Sequence, residues 1–532
     1  MLFSYRYGMR KIFCMLLFFI FLAPCGFSDS IWDIPQEELR GVLIDNALED
    51  DNSFFEQKKQ ERINQELEEK LNVKLVPISL DECLKTAVEH NYIIKQQKAT
   101  AREALWNKRN AYSKFLPNAN YTFTSQWLSG TYLVGGIVPV DVHENPLSSS
   151  FNFEWSFFDQ GKVFFDVSQK RSLQKSADAL AEFSKDEIIL NTAQSYYQLL
   201  KNRAELEIYA INVFDRKTQY DMTMARYAVG VGTRFDIYRA EAELEKSKQE
   251  YIESVNAIRI AQAKLANYMG IDVLTPLYPK EIVINKKTLL DTDAETMIGW
   301  AKKSRLDLYA EKKKIDAMKA ERNAVYTDLV PDITFKFSSS MYGTRRSGLY
   351  PSDTLTLNVV APFGSYCGVD TFTKIKSYKY QILAAENNLT QLIRNVEEAI
   401  ISSKQNSDSA SERIVASEKE VFASRKSLES AVILMQTGTQ TFLDVIQAQN
   451  LKVNAQVRLT ECITDYNISQ VQLLFESGII TVDNVLNGIN QPPLGNQGQA
   501  QNSQQNQQQN PSQNLPQNQS QNSSQNQIPQ TP

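Results

Sequence analysis

With 532 residues and 42% hydrophobic content, the chain is long enough for more than one core. Its formal net charge of −5 argues against a nucleic-acid partner. Two histidines without partners at motif spacing, His90 and His143, exclude catalytic triads and His-rich metal sites. No GxxxxGK[ST] loop occurs and "GVGTRF" fails GxGxxG, so neither an enzyme nor a nucleotide-driven machine is expected, and no cofactor.

Residues 1–28 read as a signal peptide: Arg6, Arg10 and Lys11 precede the apolar run "IFCMLLFFIFLA", and small residues follow at Gly26 and Ser28. The "LAPC" ending at Cys25 resembles a lipoprotein signal apart from its proline. No later segment offers about 18 consecutive apolar residues, so any membrane role falls to β-strands. Cys83, Cys367 and Cys462 lack CxxC pairing and read as packing residues.

Residues 29–77 are expected as an N-terminal extension, periplasmic in an exported chain, that includes the charged stretch "FFEQKKQERINQELEEKLNVKL". Residues 491–532 are almost all Gln, Asn, Ser and Pro, a tail predicted to be disordered.

Between these ends the chain is written twice. A shift of 214 lays "AYSKFLPNANYTFTSQ" on "VYTDLVPDITFKFSSS", and a shift of 208 lays Gly230 on Gly438, Thr233 on Thr441, Asp236 on Asp444 and Gly270 on Gly478. We take 78–290 as the first structural repeat and 291–490 as the second.

Each repeat holds a stretch free of glycine and proline, 162–229 and 369–437, which as helix would run roughly 100 Å. After each comes a seam spaced 3 and 4: Ile237, Ala240, Leu244, Ser247, Tyr251, Ser254, Ile258, Ala261, Leu265 and Tyr268 in the first, Val445, Ala448, Lys452, Ala455, Leu459, Cys462, Tyr466, Ser469 and Leu473 in the second. Gly230 and Gly438 mark the reversals between outgoing and return helices, which Asp236 and Asp444 are expected to open. Shorter helices near 91–115 and 305–329 complete a long antiparallel rod in each repeat.

Four segments alternate strictly. "NYTFTSQW" sets Tyr121, Phe123 and Trp127 on one face, and "SFNFEWSF" sets Phe151, Phe153, Trp155 and Phe157 on one face. "ITFKF" does so with Ile333, Phe335 and Phe337, and "LTLNV" with Leu355 and Leu357. In an exported chain, aromatic-rich alternating strands suggest an outer-membrane barrel whose apolar face meets lipid. Four strands cannot close around water, so the barrel must be shared: two copies would supply eight strands and three would supply twelve. The stretches 128–149 and 342–353 are expected as loops facing outside, with Arg345 and Arg346 at the second. A periplasmic coiled-coil adaptor or spacer without a pore explains the rods but not these strands.

These residues together resemble the TolC-like outer-membrane efflux proteins, over about 78–490. The resemblance rests on both leucine-proline-strand segments, both glycine tips ("GVGTRFDIYRAE" and "TGTQTFLDVIQAQ") and the helix lengths. It implies a mainly α protein with long antiparallel hairpins forming an α-barrel, and four transmembrane strands per chain of a shared twelve-stranded β-barrel. It further implies a homotrimer in the outer membrane, a passive exit duct for efflux or type I secretion. A periplasmic adaptor would meet the tips, at Gly230, Thr233, Gly438, Thr439 and Thr441, and an inner-membrane transporter would drive the cargo. Family members often carry two acidic residues three apart at the periplasmic entrance; Asp444 matches the first and Gln447 stands at the second. A Tyr and an Arg hold the entrance shut in the archetype, and here Met435 and Gln440 take those places, so a lock of that form is not expected. Asp444, Gln447, Gln440 and Asp236 are the resulting pore-entrance candidates.

Overall fold

The computed structural model describes residues 76–134, 138–159, 161–281, 284–344, 348–360 and 369–489. The expectations for the signal peptide, Cys25, most of the 29–77 extension, Arg345, Arg346, Cys367 and the 491–532 tail lie outside the described residues, as does the side chain of Phe157.

The first repeat opens with strand β1 (Val76–Ile78) and helices α1 (Leu80–His90) and α2 (Tyr92–Ser113). Strands β2 (Asn118–Ser125), β3 (Leu128–Val134), β4 (Val138–Glu144) and β5 (Pro146–Phe158) follow. Then come the 67-residue helix α3 (Lys162–Ala228) and the 36-residue return helix α4 (Arg234–Met269). Strand β6 (Leu277–Pro279) closes the first repeat, and the second has α5 (Ala294–Ser304), α6 (Leu306–Tyr326), β7 (Asp332–Thr344) and β8 (Gly348–Val360). It ends with the 68-residue α7 (Val369–Gln436), the 35-residue α8 (Phe442–Glu476) and the short α9 (Val482–Asn487).

Most seam positions of the return helices are buried, while Ile237, Tyr268, Lys452 and Leu459 are half-buried. Ala240, Leu244, Ser247, Tyr251, Ser254, Ile258, Ala261 and Leu265 are all buried against α3, and Ala448, Ala455, Cys462, Tyr466 and Leu473 against α7. Small residues alternating with larger ones let two long helices lie close along their whole shared length. Helix α3 also packs against α8, which ties the two hairpins side by side. Toward the tips the helices follow the order α4, α3, α8, α7; toward the strands the order is α2, α3, α6, α7.

The expected short helices are α2 and α6, each preceded by a further short helix, α1 and α5. The breaks fall at equivalent positions, Asn91 and Arg305, 214 residues apart. At the first, Asn91 accepts backbone N–H bonds from Ile93 and Ile94 and donates to the Tyr268 carbonyl at 2.7 Å. At the second, Arg305 reaches the Glu476 carbonyl, 208 residues after Tyr268. The glycine that ends each return helix sits against this joint. At Gly270, with φ +70, a Cβ would come within 2.6 Å of the His90 carbonyl oxygen. Glycine is required there both by the left-handed backbone and by the close approach.

The four-stranded sheet has the order β2-β5-β7-β8, antiparallel throughout. Its register puts Tyr121 opposite Phe151, Phe153 opposite Phe337, Trp155 opposite Phe335, and Phe335 and Phe337 opposite Leu357 and Leu355. Directly paired residues share a face, so nearly all the expected apolar positions, with Phe123 and Ile333, lie together on one side. Trp127 does not belong to this set: β2 ends at Ser125, and Trp127 stands exposed in the link to β3. The other face is polar. Glu154 pairs with Lys336 at 2.8 Å, and Asn152 bridges Asn120 and Ser338.

The two expected loops are corrected. Residues 128–134 and 138–144 form their own antiparallel hairpin, with the Ser129 hydroxyl 2.9 Å from His143 Nδ1, and 342–344 and 348–353 extend β7 and β8. The stretch 138–143 alternates Val138, Val140 and Val142 with Pro139, Asp141 and His143, a period-2 strand signal that the loop expectation passed over.

Candidate functional site: the hairpin tips

Each hairpin reverses through a glycine in the left-handed region, Gly230 at φ 80 and Gly438 at φ 77. At the second tip the N–H of Thr439 returns to the Leu434 carbonyl at 3.0 Å, and the Thr439 hydroxyl donates to the same oxygen at 3.0 Å. These bonds satisfy carbonyls that the end of α7 leaves open.

The return helices start on threonine, not on aspartate as expected. Thr441 is the N-cap of α8: its N–H donates to the Asp444 carboxylate at 2.9 Å and its hydroxyl donates to the same oxygen at 2.7 Å. Thr233 and Asp236 repeat the arrangement at 3.2 and 2.6 Å. The aspartate stands three residues inside the helix, where a carboxylate complements the exposed N–H groups. The Thr441 hydroxyl and backbone hold the Asp444 carboxyl below the usual range, so it is an anion at neutral pH. Replacing Thr441 by valine removes the hydroxyl donor. The expected result is a loss of about 1 kcal/mol of tip stability, read as faster amide hydrogen exchange at the first turn of α8 with the rest of the chain unchanged.

Gln440 and Gln447 are exposed beside Asp444, so the structure groups these three entrance candidates on the second tip. Asp236 belongs to the first tip, and Arg234 beside it donates to the Tyr227 hydroxyl at 2.9 Å. Met435 faces inward, packed with Ala431, Val445 and Ala448 and flanked by Leu428, Val432 and Phe442.

Two features near the tips escaped the sequence reading. The first tip exposes a cluster of apolar side chains, Val229, Val231, Phe235 and Tyr238, whereas the second is polar from Gln436 to Thr441. Hydropathy about each glycine could have revealed that contrast. Above the tips a buried polar cluster joins the hairpins: Arg216 donates to Asn450 at 2.6 Å and to Gln219 at 3.2 Å, with Glu243 at 3.9 Å. Burial pulls the Arg216 guanidinium down, and Glu243 and Asp215 oppose that. Asp215 in turn accepts from Gln449 at 2.7 Å. Arg216 and Asn450 are 234 residues apart, and no local pattern connects them.

Among the described residues no helix is long and apolar enough to cross a membrane, and no group of His, Cys, Asp and Glu is placed to hold a metal ion. The arrangement is that of a transport conduit's wall: a polar-backed, aromatic-fronted sheet joined to helical rods roughly 100 Å long.

The model of the family described as "Outer membrane efflux protein" matches residues 83–271 and 297–478. The chain belongs to that family, whose members are outer-membrane channels and not enzymes. It is 22% identical over 405 residues to the outer membrane protein TolC of Vibrio cholerae, covering 74% of this chain and 88% of the relative. It is 24% identical over 332 residues to the outer membrane efflux protein BepC of Brucella suis, covering 60% and 71%. Its fold is similar to that of the Campylobacter jejuni CmeC outer membrane channel, with a TM-score of 0.68 at 15% identity over 75% of this chain and 85% of that one. The open-state Neisseria gonorrhoeae MtrE channel gives 0.61 at 14% identity, over 75% and 89%. This protein is an efflux channel of the outer membrane.

Proposed function

We propose that three copies of the chain assemble into a passive exit duct that spans the outer membrane and reaches through the periplasm. The observation that carries the reading is the unfinished sheet. Among the described residues, β2 and β8 each pair along one edge only, leaving rows of backbone donors and acceptors on a sheet whose other face is aromatic. No such edge survives in lipid, so β8 of one copy pairs with β2 of the next. Four strands per chain, closed by threefold symmetry, give twelve and a water-filled interior. The helical edges tell the same story: α7 exposes Ile401, Val415 and Phe422, and α4 exposes Tyr238, Ile252 and Ile260. Each stripe lies on an outer helix and fits the other across a copy boundary. A pore-less spacer has no need of the sheet.

Work against a gradient then comes from elsewhere, from an inner-membrane transporter joined through a periplasmic adaptor. The apolar first tip and the threonine-rich second tip, with Thr233, Thr439 and Thr441, are the adaptor's landing surface. The ring of three Asp444 carboxylates at the entrance selects for cations. The test is single-channel recording of purified protein in planar bilayers, with its mass in detergent measured alongside. A trimeric mass and a conducting pore are expected, and a non-conducting monomer would overturn the proposal. In the same recordings Asp444→Asn should lower the cation-to-anion permeability ratio several-fold; an unchanged ratio leaves Asp444 as a cap alone.

A further inference from the structure

The junction between strands and helices carries a charge pattern that the internal duplication makes informative. The shift of 214 lays Lys114 on Asp328, and the shift of 208 lays Lys162 on Asp370 and Asp166 on Lys374. The correspondence holds in the fold: Val163 and Thr371 are both buried, while Phe164 and Phe372 are both exposed. At all three pairs of equivalent positions the charge has changed sign between repeats.

Two joints of a belt follow within one chain, and the residues for a third share their cleft. Lys114, just after α2, pairs with Asp166 of α3 at 2.7 Å. Lys162 of α3 pairs across the repeat boundary with Asp328, just after α6, at 3.2 Å. Lys374 of α7, the sign-reversed counterpart of Asp166, faces the same cleft as Asp328. Lys114, Lys162, Asp166, Asp328 and Lys374 line one cleft of about 600 Å³. The next joint in the series would run from α7 to the residue after α2 of the following repeat, which this chain does not contain. At that outer edge Asp370 turns back on Lys374 of its own helix at 2.7 Å.

Resting on the trimeric reading above, we propose that Asp370 of one copy pairs with Lys114 of the next, so that a belt of alternating charges closes around the base of the β-barrel. The sign reversal is what makes the closure complementary. With the first repeat's charges kept in both halves, position 370 would carry a lysine facing Lys114, whereas the charges present put a carboxylate before an ammonium. Exposed pairs contribute little affinity, with side-chain exposures here of 56% for Lys114 and 39% for Asp370. Their role is selection: opposite charges favour this edge-to-edge register and disfavour slipped ones, as charge patterns do at other interfaces. Asp328 and Asp370 then each stand between two lysines, although Asp159 and Glu321 line the same cleft.

The experiment uses the full chain, purified from membranes, carrying Lys114→Cys and Asp370→Cys together in a Cys367→Ser background, and treated with a short bis-maleimide, each of whose rings adds one thiol. Covalent dimers and trimers on a denaturing gel, absent from either single-cysteine variant, are expected. Untreated protein run on a native gel reports assembly separately. A native trimer that yields no inter-chain product, or a product confined within monomers, overturns the Asp370 to Lys114 joint and leaves the trimer standing. A chain that is monomeric on the native gel overturns the assembly itself and this joint with it.

Discussion

Replacing Arg305 by alanine should destabilise the body where the two repeats meet by about 3–5 kcal/mol, the range for removing one partner of a buried ionic cluster. Arg305 is buried, forks onto Asp307 with bonds of 3.1 and 2.8 Å, and donates to both the carboxylate and the backbone carbonyl of Glu476. Its guanidinium also lies over Phe475, 5.5 Å from the ring centre, and Phe183 at 5.9 Å. Burial works against its charge, but the hydrogen bonds and charges of Asp307 and Glu476 outweigh it and hold the guanidinium above its ordinary value. Alanine would leave Asp307 and Glu476 facing each other without a cation, at the joint between α5 and α6. A lowered midpoint in chemical denaturation is the measurement. Adding Glu476→Gln to the alanine variant should recover part of the loss, since it removes one stranded charge. Stability equal to that of the parent for Arg305→Ala alone would show that the cluster does not hold this joint.

Leu357→Arg should cost about 2–4 kcal/mol of barrel stability, the penalty for arginine on the lipid face near mid-bilayer. Leu357 is exposed in the single chain and lies directly opposite Phe335, within the aromatic face. Unfolding from lipid vesicles in guanidinium would read the loss, and less protein should reach the outer-membrane fraction. Thr354→Arg, on the opposite face across from Ser338, is the control and should be nearly neutral. Equal penalties at 357 and 354 would mean that the aromatic face is not the one that meets lipid.

The features legible in the sequence are those set by near neighbours along the chain. A gap of about seventy residues between helix breakers permits a long helix and little else, and α3 and α7 occupy 162–228 and 369–436. The alternation at 151–155 and 333–337 orients side chains whatever the partner strands, because successive residues of a strand point to opposite faces. The extra strands at 128–144 were legible only in part: Val138, Val140 and Val142 alternate with Pro139, Asp141 and His143, whereas "LSGTYLV" at 128–134 shows no such period. The start of α2 near 91 was legible, but the partner that holds Asn91 there, the Tyr268 carbonyl far along the chain, was hidden.

By itself the sequence determined the duplication, the rods, the two glycine reversals and the sidedness of the strands, because helix period, strand period and a positive φ are properties of adjacent residues. Only the tertiary structure decided that Met435 belongs to the hairpin's own packing and that threonine caps what aspartate reinforces. It alone joined Arg216 to Asn450 and brought Lys162 to Asp328. The physical reason is that burial and ion pairing depend on which surfaces meet. Two helices of a single chain can lie against each other through residues more than two hundred positions apart, leaving no local trace of the contact.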